Sequence, residues 1–173
     1  MGNFTSRSSG PVVPKVSRKV AQDRSHGGVK FLCFHGWRTS GEILKTQTNA
    51  FRGGTGIDCD FPDALYYSQG EPDDLVAMFY PSPPHAYFEW FIGDGYQDKS
   101  KTIESSLDYI IEFIDRNGPY DGILGFSQGA AFATSLLSRL QETQSSYHFK
   151  IAILVGGVAP PSGAIFTPTA FSN

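Results

Sequence analysis

Two cysteines in 173 residues, Cys33 and Cys59, are too few for the disulfide framework of a small secreted domain. A reducing compartment, cytoplasmic or nuclear, is the expectation. No run of 18 apolar residues is present and the amino terminus lacks the apolar centre of a signal peptide, which disfavours a membrane-spanning or secreted protein. Basic charge is scarce where a nucleic-acid surface would need it. Residues 1–30 hold Arg7, Lys15, Arg18, Lys19, Arg24 and Lys30 against Asp23 alone, whereas the remaining 143 residues have 8 basic and 16 acidic side chains. The net charge of −3 therefore conceals a basic tail on an acidic body, and no nucleic-acid partner is expected. Metal-ligand spacing is missing too. His26, His35, His85 and His148 lie far apart, Cys33 and Cys59 form no C-x-x-C, and Asp58, Asp60 and Asp63 lack the glycine and terminal glutamate of a calcium loop. Gly53-Gly54-Thr55-Gly56 is neither of the glycine-rich phosphate-binding patterns and reads as a turn. No cofactor and no metal are called for.

The chain is one domain's worth of sequence, 40% hydrophobic and 18% charged, long enough to bury roughly two-thirds of its unfolded surface. Residues 1–28 are rich in Ser, Gly and Pro without apolar periodicity and read as a flexible basic extension; residues 29–173 hold the domain. Met1-Gly2-Asn3-Phe4-Thr5-Ser6 fits the N-myristoylation pattern, in which Gly2 would carry the acyl group. One myristoyl chain binds membranes weakly, and the basic tail could supply the second signal on an anionic leaflet. A plain leader or a transit peptide reads the same residues without acylation.

Val29 to Phe34 is a short apolar strand between Gly27-Gly28 and His35-Gly36. Thr39 to Glu42 fits a capping box, which predicts a helix onwards to about Ala50. Ile57 to Phe61 is a second strand, and residues 68–99, with four prolines and an aromatic group around Trp90, read as loop. Ile103, Leu107, Ile110, Ile111 and Ile114 recur at helical spacing until Gly118-Pro119. A strand over 122–126, a helix from about Gly129 to Leu140, and Ile151 to Val155 complete the order. Five apolar residues in succession predict that this last strand is buried on both faces. Alternating short strands and helices predict a mostly parallel α/β sheet with flanking helices.

Gly125-Phe126-Ser127-Gln128-Gly129 is the G-x-S-x-G nucleophile elbow, set between a strand and a helix as that motif requires. Ser127 must occupy a strained turn to expose its hydroxyl, and Gly125 and Gly129 admit neighbouring backbone where a side chain would block it. The next helix aims its amino-terminal amides at the reacting centre, so the amide of Gln128 is one oxyanion donor. The other is expected after an earlier strand, where His35-Gly36-Trp37 lies, and is assigned to the backbone of Trp37. His35 and Gly36 are supporting loop residues, and His35 is not the base.

The segment Phe31-Leu32-Cys33-Phe34-His35-Gly36-Trp37-Arg38-Thr39-Ser40-Gly41-Glu42-Ile43-Leu44 resembles the opening motif of the FSH family of serine hydrolases. Phe61-Pro62-Asp63-Ala64 resembles its second motif, Tyr87 to Phe91 its aromatic motif, and Tyr120 to Ala130 its nucleophile segment. The resemblance spans roughly residues 29 to 160. It implies an α/β-hydrolase fold and cleavage of a small-molecule carboxylic ester through an acyl-enzyme. The aromatic segment reads equally as a wall for an apolar acyl chain and as packing against the sheet.

A serine nucleophile needs a base oriented by an acid, and in this fold both follow the serine. From Gln128 to Asn173 there is no Asp; Glu142 is the only acid and His148 the only histidine, both in a helix-to-strand connection expected to lie away from Ser127. A strand over 151–155 with nothing of strand character after it would be an uncharged apolar edge, which natural domains avoid. The chain is therefore expected to be an incomplete copy of a longer domain, lacking its last strands. As it stands it is expected not to label with a fluorophosphonate probe. A catalytically silent α/β-hydrolase-like binding module, tethered to membranes if Gly2 is acylated, is the alternative.

Overall fold

A computed structural model describes residues 28–83, 86–92 and 100–157. The tail with Gly2 and the segment 158–173 fall outside the described residues. Four strands, β1 (Lys30–Phe34), β2 (Asp58–Asp60), β5 (Gly122–Phe126) and β6 (Ile151–Val155), form a parallel sheet in the order β2-β1-β5-β6. The register pairs Phe31 with Cys59, Phe34 with Gly125 and Phe126 with Val155. The mostly parallel α/β architecture expected from the sequence is thus the observed one.

Strand pleating divides the side chains between two layers. Leu32, Phe34 and Ile123 face the long helices α4 (Ser100–Asn117) and α5 (Gln128–Glu142), where Ile103, Leu107, Ile110, Phe132 and Leu136 meet them in the larger core. Phe31, Cys33 and Leu124 face the other way, onto Leu44 of α1 (Gly41–Gln47). The chain leaves β1 for α1 on one face and leaves β5 for α5 on the other. Sheet order therefore reverses between β1 and β5, and their C-terminal ends open a crevice of the kind in which doubly wound sheets bind ligands.

Several local expectations need correction. The N-cap of α1 is Ser40 rather than Thr39: its backbone is extended and its Oγ accepts from the Ile43 amide at 3.2 Å. Ile43 sits at the third helical position, so no reciprocal glutamate bond forms. Asp63 satisfies the Gly41 amide instead, at 2.7 Å. The helix also breaks at Thr48, and a short α2 (Asn49–Arg52) follows. The second strand is shorter than predicted. The stretch 68–99 is not all loop: α3 (Asp74–Phe79) is capped by Asp73, and a hairpin-like pair, β3 (Tyr66–Tyr67) with β4 (Phe88–Glu89), brackets it. Most consequentially, β6 is not buried on both faces. Among the described residues it is an edge strand, as β2 is on the other side, with Ile151, Leu154 and Val155 each more than 40% exposed.

Candidate active site

β5 delivers Ser127 into a turn with φ 52° and ψ −117°, outside the regions where non-glycine residues rest. Three backbone bonds hold the turn: the Ser127 amide donates to Val155 O at 2.8 Å, and Ser127 O accepts from the Ala130 amide at 3.0 Å and the Ala131 amide at 3.3 Å. The flanking glycines have the steric role expected of them. A Cβ on Gly125 would lie 2.7 Å from Ala130 Cα, and one on Gly129 would lie 2.3 Å from Phe34 O and 2.4 Å from His35 O. Ser127 is half-buried, and its hydroxyl neither caps α5 nor finds another hydrogen-bond partner among the described residues.

The loop after β1 lies against this turn. A Cβ on Gly36 would stand 3.6 Å from Ser127 Cβ and 3.1 Å from the ring of Phe126. Gln128 is the first residue of α5, so its amide is one of those a helix leaves without an intrahelical acceptor. The Trp37 amide likewise has no acceptor among the described residues. The Trp37 ring is 45% exposed beneath the Arg38 guanidinium, 4.1 Å from its centroid.

His35 is fully buried. Its Nε2 accepts from the Ala64 amide at 3.0 Å and its Nδ1 lies 2.8 Å from Gly36 O, so the imidazole is neutral with its proton on Nδ1. Burial pushes its pKa down to about 4. Such a group braces the loop and cannot serve as base for Ser127. Because the unfolded chain binds the proton more readily, this residue contributes stability that is complete above about pH 6.5 and is lost as pH falls toward 4, at most about 3 kcal/mol. Urea denaturation of the native chain should show that slope between pH 6.5 and 4. A folded His35→Gln variant should lack it, and an unchanged slope there would assign the effect to other groups.

The two remaining motif segments hold the same loop. Besides its Asp63 and Ala64 bonds, the second segment places Phe61 O where a Cβ on Gly41 would lie 2.1 Å away. From β4, the Phe88 amide donates to Thr39 O at 2.7 Å and Glu89 accepts from Arg38 Nε at 3.1 Å. Thr39, displaced from the capping role, donates through Oγ1 to Gly36 O at 2.9 Å. Trp90 is wholly buried, stacked on Phe132 with centroids 4.6 Å apart, and its Nε1 donates to His35 O at 2.9 Å. Of the two readings of the aromatic segment, packing holds for Trp90. The Gln128 side chain, Trp90 and Asp63 have structural parts that reading by residue type did not assign; only their place in the resembling segments marked them.

Glu142 ends α5, a helix of 15 residues that carries it about 20 Å from Ser127 along the axis. His148 precedes β6, at the amino-terminal end of the parallel strands, whereas Ser127 follows the carboxy-terminal end of β5. Neither reaches the elbow. Among the described residues no cluster of His, Cys, Asp and Glu could hold a metal ion, and no helix is long and apolar enough to cross a membrane.

The family model described as serine hydrolase (FSH1) matches residues 26–170. Among curated proteins, an esterase of Fusarium mangiferae is 33% identical over 138 residues, covering 74% of this chain and 57% of its own length. The esterase OVCA2 of Xenopus tropicalis is 30% identical over 147 residues, with 75% and 61% covered. This chain thus spans about half the length of the curated relatives it matches. Among solved structures, Arabidopsis thaliana SOBER1 superposes with a TM-score of 0.54 at 16% identity, over 78% of this chain and 63% of that one. Zea mays acyl-protein thioesterase 2 gives 0.51 at 18% identity, over 81% and 61%. These likenesses establish an α/β-hydrolase fold.

Proposed function

The chain belongs to the serine hydrolase (FSH1) family, and from that premise we propose a carboxylesterase-type domain whose nucleophile is Ser127 and whose substrate is a small-molecule carboxylic ester. The observation that carries this reading is the Ser127 backbone, held at φ 52° between Gly125 and Gly129 and leading straight into α5. That conformation has a cost, and presenting a hydroxyl at the switch point of the sheet is what it accomplishes.

In the proposed reaction Ser127 Oγ attacks the ester carbonyl and passes its proton to a base. The oxyanion that forms is met by the amides of Trp37 and Gln128. Collapse breaks the bond to the alkoxy oxygen, which leaves as the alcohol with that proton. Water then attacks the acyl-enzyme and releases the carboxylic acid, returning the proton to Ser127. Glu142 and His148 are too remote for the proton steps, so the base and the acid that orients it come from outside the described residues. A second reading, a silent binding module, is favoured by a Ser127 hydroxyl that has no hydrogen-bond partner among the described residues.

Fluorophosphonate labelling read by intact mass separates the two. The comparison is between the 173-residue chain and the same chain continued past Asn173 with the carboxy-terminal part of the Fusarium mangiferae esterase. An adduct on the continued chain, abolished by Ser127→Ala, is expected, with little or none on the 173-residue chain. A continued chain that folds cooperatively yet takes no Ser127-dependent adduct would overturn the hydrolase reading in favour of the silent module.

A further inference from the structure

The side chain of Gln128, next to the nucleophile, is buried rather than aimed at a substrate. Its Oε1 accepts the Trp90 amide at 2.9 Å and its Nε2 donates to Phe91 O at 2.9 Å, so both ends of one carboxamide are spent on one short stretch of backbone. That stretch is itself fixed. Ser106 Oγ donates to Trp90 O at 2.6 Å, and the Trp90 ring is clasped between Phe132, stacked at 4.6 Å, and Phe34, edge-on at 5.0 Å. From the same ring Nε1 donates to His35 O. A single line of buried contacts therefore runs from the residue after Ser127, through Trp90, to the carbonyl two residues before Trp37.

The two segments so joined leave adjacent strands and diverge to opposite faces of the sheet, and strand pairing ends at Phe34 and Gly125 on this side of it. Beyond that point the ladder no longer sets their separation. We propose that the side chains of Gln128 and Trp90 are positioning residues that fix the distance between the backbone amides of Trp37 and Gln128. The catalytic consequence rests on the serine hydrolase reading; the mechanical tie rests on the hydrogen bonds alone. A methionine would fill the same volume without either bond, and a buried carboxamide left unpaired would be costly, so the choice of glutamine follows from the tie.

The decisive variant is Gln128→Glu in the 173-residue chain. While protonated, the introduced carboxyl can keep both bonds, accepting from the Trp90 amide and donating to Phe91 O. Ionised, it loses the donor and sets a charge against a carbonyl oxygen, and burial brings its titration up toward neutral pH. In nitrogen-15 spectra the indole N–H of Trp90 and the amides of Gly36 and Trp37 should then titrate together, with one apparent pKa absent from the native chain. Movement confined to the Trp90 and Phe91 amides, with Trp37 still, would overturn the proposal. Should that variant not fold, Trp90→Phe tests the same tie: it keeps a stacked ring, removes the donor to His35 O, and should displace the Gly36 and Trp37 amides. Unmoved amides there would equally overturn it. In any form with Ser127-dependent turnover, both variants should lower kcat about 10- to 100-fold with KM within about twofold. Absence of Ser127-dependent turnover in the continued chain counts against the hydrolase reading only, since the resonances still decide the tie.

Discussion

Replacing Gly129 by alanine should cost the domain much of its stability and not merely slow its chemistry. The added Cβ would stand 2.3 Å from Phe34 O and 2.4 Å from His35 O, and both obstacles are backbone atoms of one strand end. No rotamer change relieves such a clash, so α5 must move off β1. Phe132, Ala131 and Leu136 of that helix are fully or almost fully buried against the sheet, and withdrawing them opens the larger core. A loss on the order of 4 kcal/mol is expected, a large share of the 5–15 kcal/mol typical of a domain. Gly36→Ala is the matched control. Its Cβ would meet the partly exposed ring of Phe126 at 3.1 Å, and a ring can shift a few tenths of an ångström where a strand cannot. Denaturant midpoints of the two variants beside the native chain are the measurement. A Gly129→Ala protein within about 1 kcal/mol of native would mean that α5 and β1 approach each other less closely than described.

The contrast between those two glycines shows what the sequence made legible. Motif spacing and flanking apolar runs were enough to predict β1, β5, both long helices and the turn between β5 and α5, because each carries its apolar run, its period or its turn residues within its own short stretch, although the strands pair far along the chain. The same reasoning missed α3, whose six residues are too few for a period to emerge, although Asp73 before Asp74-Leu75 is an ordinary N-cap signal. It placed the α1 cap one residue early because Thr39 and Ser40 are equivalent by residue type. Only the distant partners Phe88 and Asp63 decide between them. For β6 the apolar run correctly gave a strand, but burial is a property of neighbours, and among the described residues β5 alone pairs with it and only Ile153 packs against a core cluster. The candidate site divides in the same way. Ser127 and its glycines announce themselves locally, whereas the parts of Gln128, Trp90 and His35 depend on contacts 29 to 55 residues apart.

Two of those long-range contacts meet at Trp90, and two substitutions there should separate packing from hydrogen bonding. Trp90→Ala removes a wholly buried ring that stacks on Phe132 and meets Phe34 edge-on, leaving a cavity between β4, β1 and α5. A loss of about 3–5 kcal/mol is expected for a large aromatic truncated in a core. Trp90→Phe keeps a ring in the stack and a smaller void, but strips His35 O of its 2.9 Å donor in a place water does not reach. An orphaned buried acceptor costs about 1–3 kcal/mol, so this variant should fall between native and Trp90→Ala. The two effects also act on different elements. The cavity loosens α5, whereas the orphaned carbonyl loosens the loop carrying Gly36 and Trp37, so amide exchange should quicken at Phe132 in the alanine variant and at Trp37 in the phenylalanine variant. If Trp90→Phe were as stable as the native chain, with Trp37 exchange unchanged, the indole bond would be incidental and stacking alone would account for the tryptophan.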